Sequence, residues 1–104
     1  MIPPGTLDVL ILRTLDSNPR LHGFEIAEAI RLRSEDVLHV EEGSLYPALH
    51  RMLVKGWLAA EWGKTEENHR ARYYRLTTAG KKQLQRELDE YNVIARAIAR
   101  VLTA

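Results

Sequence analysis

The sequence predicts a mainly α-helical fold with one small β-hairpin and a long last helix. Three observations carry this. In the first half, apolar residues recur at helical spacing in three stretches, closed in turn by Pro19, by Ser34-Glu35-Asp36 and by Gly56. Trp57 to Trp62 and Arg72 to Leu76 alternate loosely around a polar run, the pattern of a hairpin. Leu84, Leu88, Tyr91, Ala95, Ile98 and Leu102 are spaced 4, 3, 4, 3, 4, the a/d seam of a coiled coil.

The first helix follows Pro3-Pro4-Gly5, with Thr6 as N-cap and Asp8 in the first turn, and runs to about Asp16. Leu7, Val9, Leu10, Ile11, Leu12 and Leu15 cover more than one of its faces. A helix apolar nearly all round needs cover from several sides, so a second chain is expected over one of them. The second helix spans about His22 to Arg33, with Ile26, Ala29 and Ile30 inward. Val37 to Val40 is β-prone and predicts one short strand. The third helix starts near Gly43, with Ser44 as N-cap and Pro47 in the first turn, where no amide is needed. The hairpin tip is Gly63 to Ala71, and Trp57 and Trp62 are expected as core residues at its root. The last helix is capped by Thr77 or Thr78 and runs nearly to the end.

Composition limits the function. The 104 residues make one domain, and 45% apolar with 28% charged residues is ordinary for a globular protein. Absence of cysteine excludes disulfides, thiolate nucleophiles and zinc–thiolate sites. The longest apolar stretch, Val9 to Leu12, is far below the ~20 residues of a membrane span, so no membrane partner is expected. Met1-Ile2-Pro3-Pro4 lacks the basic start of a secretion signal, and a cytoplasmic location is expected. Net charge is only +1, but its distribution is uneven. From Glu25 to Glu42 six acids face two bases; from Gly43 to Arg75 six bases face three acids. A local basic surface on a near-neutral chain suits DNA.

Three helices followed by a two-stranded wing make the winged helix-turn-helix, whose second motif helix enters the major groove while the wing reaches the backbone or minor groove. Residues 1–76 would be the DNA-binding domain and 77–104 a dimerisation helix. The candidate DNA-binding residues are Ser44, Tyr46, Pro47, His50, Arg51 and Lys55 on the third helix, and Lys64, Arg70 and Arg72 on the wing. The plainer expectation for Arg72 is an ion pair with Glu61 across the hairpin. The candidate dimerisation residues are the seam positions Leu84, Leu88, Tyr91, Ala95, Ile98 and Leu102.

Several runs of this sequence resemble the PadR family of bacterial transcriptional regulators. They are Gly5-Thr6-Leu7-Asp8, His22-Gly23-Phe24-Glu25-Ile26, Glu42 to Leu49, Lys55-Gly56-Trp57, and Arg72 to Thr77 with Gly80. Gly-Ser-Leu-Tyr-Pro followed by Tyr-Tyr-x-Leu-Thr is the specific part. Phe24 stands where tyrosine is commoner. The resemblance implies a homodimeric winged-helix repressor of the compact branch with one C-terminal helix, in which Tyr46 and the wing arginines lie on double-stranded DNA. A small-molecule effector would have to bind at the dimer interface, because the body is too small for a separate sensor; Tyr91 is placed to line that site.

No cofactor and no metal are expected: His22, His39, His50 and His69 fall on separate elements. No catalytic motif is present, so an enzyme is not expected. The alternative class is a winged-helix protein-interaction module without DNA binding, favoured by the low net charge and the acidic Glu25-to-Glu42 region.

Overall fold

The computed structural model describes Ile2 and residues 5–104; the expectations for Met1, Pro3 and Pro4 lie outside the described residues. The elements run α1 (Leu7–Ser17), β1 (Leu21–His22), α2 (Gly23–Arg33), α3 (Glu42–Val54), β2 (Leu58–Lys64), β3 (Arg70–Leu76) and α4 (Thr78–Thr103). α2 and α3 form the helix-turn-helix pair, and β2 with β3 forms the wing.

α1 lies at the centre. It packs against α2, α3, α4 and β3, and Val9, Ile11, Leu12 and Leu15 are all buried within this one chain. The second chain expected over α1 is therefore not needed for these residues. The wide apolar face serves the chain's own core, together with Ile26, Leu45, Leu49 and Met52.

The sheet is antiparallel, in the order β1-β3-β2. Leu21 and His22 pair with Tyr74 and Tyr73, and so occupy the edge of β3. The strand expected at Val37 to Val40 does not form. That segment pairs with no strand, and Leu38 and Val40 pack on the core from an irregular loop.

Local chemistry sets the helix ends. His22 caps α2: its side chain accepts the Glu25 amide while the Glu25 carboxylate accepts the His22 amide, a reciprocal capping box. α2 closes with Asp36 N donating to Arg31 O and Glu35 N to Leu32 O. Glu35 and Asp36 both take positive φ there, and Arg31 donates to Glu28 and, at 3.1 Å, to Asp36. The N-cap of α3 lies three residues earlier than expected. Glu41 is its N-cap, so Ser44 lies inside the helix. Pro47 consequently falls in the second turn, where it gives no N–H to the carbonyl of Gly43. At the other end, Gly56 N donates to Leu53 O and Trp57 N to Met52 O, with Gly56 at φ +77°. This left-handed closure suits glycine.

Thr77 joins the elements that follow. Its hydroxyl accepts the Gly80 amide at 3.0 Å as the N-cap of α4. The same hydroxyl donates toward the carbonyls of Gly56 (2.7 Å) and Trp57 (2.9 Å), and the Thr77 amide donates to Trp57 O at 3.1 Å. Gly80 lies so close that a Cβ there would stand 2.1 Å from the Trp57 carbonyl oxygen.

α4 has 26 residues, about 39 Å at 1.5 Å per residue, and the molecule measures 54 × 29 × 22 Å. Its apolar stripe is divided. Leu84 is 4% exposed in the chain's own core, and Leu88 packs on that core. Leu84 is therefore corrected from a dimer-seam position to a core position. Farther along, Tyr91, Ile94, Ile98, Val101 and Leu102 are exposed, while Ala95 is half-buried.

Gly80→Ala should cost about 3 kcal/mol, since the new methyl meets a backbone carbonyl that cannot turn aside. Thr77→Ala should cost about 1 kcal/mol for the lost cap. Urea denaturation of the two variants checks the order; a milder Gly80→Ala would contradict close docking of α4 on Trp57.

Candidate nucleic-acid interface

On α3, Leu45, Ala48, Leu49 and Met52 face the core. At 100° per residue this leaves Gly43, Pro47, His50 and Val54 along the outermost line. Tyr46 lies on one flank, and Ser44, Arg51 and Lys55 on the other; all of these residues are exposed. Tyr46 leans onto the start of α2, where a Cβ on Gly23 would stand 2.8 Å from its hydroxyl oxygen. The absent side chain of Gly23 makes room for the ring.

The wing supplies the opposing wall. Trp62 pairs with Arg72 across the hairpin, with Lys64 opposite Arg70. The Arg70 guanidinium lies 4.1 Å from the Trp62 ring centroid, and that of Arg72 lies 5.9 Å from it. A cation over a ring face is attracted by the ring quadrupole and keeps its charge. Trp62 is thus corrected from a core residue at the wing root to a surface residue, 58% exposed. The tip turns at Asn68, with φ +64°, and is closed by the Asn68 amide on Thr65 O and the His69 amide on Thr65 Oγ1.

Tyr46, Trp62, Arg70, Arg72 and Phe24 line one open notch of about 460 Å³ between the start of α2, α3 and the wing. Tyr74 closes its inner wall. Burial pushes the Tyr74 phenol above its usual 10.0, partly opposed by the positive charge of Arg72. Lys64 lines the neighbouring groove with His22, Phe24, Glu25, Glu66 and Glu67.

The remaining candidates stand apart. Arg51 does not point free into solvent; it pairs with Asp8 of α1. Lys55, at the far end of α3, lies 4.7 Å from the Trp57 ring centroid. Arg72 does not pair with Glu61, because Glu61 lies opposite Tyr73, one position along the strand. Arg20 takes Glu61 at 2.8 Å and also stacks on Tyr73 at 3.7 Å. Among the described residues no group of three or more His, Asp and Glu side chains could hold a metal ion, and no helix is long and apolar enough to cross a membrane.

Phe24 and Trp62 were not singled out for the site from sequence. Both had a signal. Phe24 is about 200° from Ile26 on the helical wheel, hence outward. Strand alternation puts Trp62 beside Arg72, at the end of the hairpin that leaves the body.

Gly23→Ala should leave stability within about 1 kcal/mol, because the helix propensity gained offsets the disturbed contact. It should displace the Tyr46 ring, since a Cβ at residue 23 and that ring cannot share the space. Aromatic NMR shifts check this: movement at Tyr46 with Tyr74 unchanged is expected, and an unmoved Tyr46 would contradict the contact.

The chain matches the model of the transcriptional regulator PadR-like family over residues 11–86. It is 30% identical over 94 residues to an uncharacterised protein of Lysinibacillus sphaericus, covering 90% of this chain and 85% of that one. Among solved structures, a transcriptional regulator from Clostridium thermocellum superposes with a TM-score of 0.83 at 27% identity, covering 92% of each chain. A PadR family transcription regulator from Clostridium difficile superposes with a TM-score of 0.77 at 29% identity, covering 94% of this chain and 99% of its own. With the family pattern running from the core of α1 into α4 across the helix-turn-helix and the wing, the chain belongs to the PadR-like family of winged-helix transcriptional regulators.

Proposed function

We propose that this regulator is a homodimeric, sequence-specific DNA-binding repressor acting in the cytoplasm. In this reading residues 1–76 bind double-stranded DNA and residues 77–104 form the dimer. One observation carries the DNA reading: Arg70 and Arg72, which make no ion pair among the described residues, converge with Tyr46 on the exposed side of α3. Free guanidinium groups suit phosphates, and the outer line of α3, with Pro47 and His50 flanked by Ser44 and Tyr46, suits the major groove. Lys64 extends the wing's positive charge. Arg51 contributes less directly, since its guanidinium already pairs with the Asp8 carboxylate, while Lys55, over Trp57 at the far end of α3, keeps its charge.

The dimer reading rests on α4. Leu88 packs on the body, and Tyr91, Ala95, Ile98 and Leu102 continue the stripe beyond it. Burying those side chains between two α4 helices removes the apolar surface from water. Two reading heads related by a dyad would engage a pseudo-palindromic operator with half-sites about 34–36 Å apart. A small-molecule effector would act at this interface beside Tyr91 by changing the separation of the heads.

Two measurements test the proposal. Arg70→Ala and Arg72→Ala should weaken binding to all duplexes alike and flatten the slope of log K against log salt by about 0.9 each. Unchanged slopes in both variants would remove the wing from the mechanism. Ile98, 53% exposed, is a cleaner dimer probe than the core-facing Leu84. Ile98→Asp should leave the fold intact and halve the mass in sedimentation, because an unpaired carboxylate at the seam opposes association. A dimer unaffected by this change would refute the seam.

A further inference from the structure

We infer that Phe24 and Trp62 are DNA contacts: the notch they share with Tyr46 takes a stretch of duplex backbone, deoxyribose against the rings and phosphates at Arg70 and Arg72. The inference deepens the proposed DNA-binding function and rests on it.

Three observations carry it. First, the exposed rings are clustered. Phe24 is 67% exposed, Trp62 58% and Tyr46 46%, and all three border one notch. Clustered exposed aromatics leave apolar surface in water that a partner can cover. Second, the lining combines rings with cations. The guanidinium groups sit on and beside Trp62, and among the described residues no carboxylate lines the notch, whereas Glu25, Glu66 and Glu67 line the groove next to it. A nucleic-acid backbone carries apolar sugar faces and anionic phosphates, and the notch offers rings and cations to meet both. Third, the rings are held in place. Phe24 lies in the first turn of α2, whose start is fixed by the His22–Glu25 capping box, and Trp62 is held in register opposite Arg72.

The roles of ring and cation separate by salt. Covering an aromatic ring releases no counterions, while neutralising a phosphate does. Phe24→Ala and Trp62→Ala change exposed side chains, and circular dichroism confirms that each variant is folded. Binding is read as fluorescence anisotropy of a labelled random-sequence duplex, across a salt series. Each variant should weaken binding roughly five- to tenfold with the salt slope unchanged. Arg72→Ala, in parallel, should lower the slope. In a Trp57→Phe chain, where Trp62 is the remaining tryptophan, its emission should change as the duplex is added. Duplex binding with unaltered affinity in both alanine variants and unaltered Trp62 emission would overturn the notch assignment while leaving the regulator reading intact. Failure of the unmodified protein to bind any duplex would overturn both.

Discussion

The bonds around Thr77 set the geometry on which the rest depends. One side chain caps α4, and its hydroxyl and amide also engage carbonyls at the end of α3 and the start of the wing. Three connections are thereby drawn to one point: the left-handed exit at Gly56, the root of β2 at Trp57 and the first turn of α4 at Gly80. Gly80 lets α4 approach the Trp57 backbone more closely than any larger residue could. The direction of α4 is thus tied to the direction of α3. In a dimer built through α4, this tie would carry the subunit crossing angle to the proposed DNA-binding surface.

Around that joint the chain divides its apolar residues between two tasks. α1 spends its wide apolar face inside the domain, under α2, α3, α4 and β3. α4 uses one stripe twice: Leu84 and Leu88 hold it to the body, and Tyr91, Ile98 and Leu102 continue the stripe in solvent. Charge is divided in a similar way. Arg20, Arg31 and Arg51 each pair with a carboxylate and brace the fold, whereas Arg70 and Arg72 rest on Trp62 and retain their charge. A near-neutral chain can therefore carry a local cationic surface, because these two arginines are not neutralised where they lie.

The helices and the wing were legible because each announces itself by period and punctuation. Leu45, Ala48, Leu49 and Met52 mark one face of α3, Gly56 ends it, and Thr77 opens α4. β1 was not legible: two residues cannot show a period, and Leu21–His22 is a strand only because β3 offers it an edge. Val37 to Val40 had the composition of a strand but pairs with none. The start of α3 was misplaced because Ser44 looks like a cap, although Glu41 takes that position. Within the candidate site, Tyr46, Arg70 and Arg72 do converge. The burial of Trp62 was misread, and the Asp8 partner of Arg51 was unforeseen, for one reason. Their surroundings are set by residues distant in sequence or by where the sheet leaves the body, neither of which local pattern contains.

Selection from a random duplex library with the purified protein at moderate salt tests the central claim most directly, because it reads base recognition and two-fold symmetry together. A dimeric reader of DNA enriches a two-fold symmetric motif with half-sites about one helical turn apart. Failure to enrich any motif, from protein shown to be folded and dimeric, would contradict that claim.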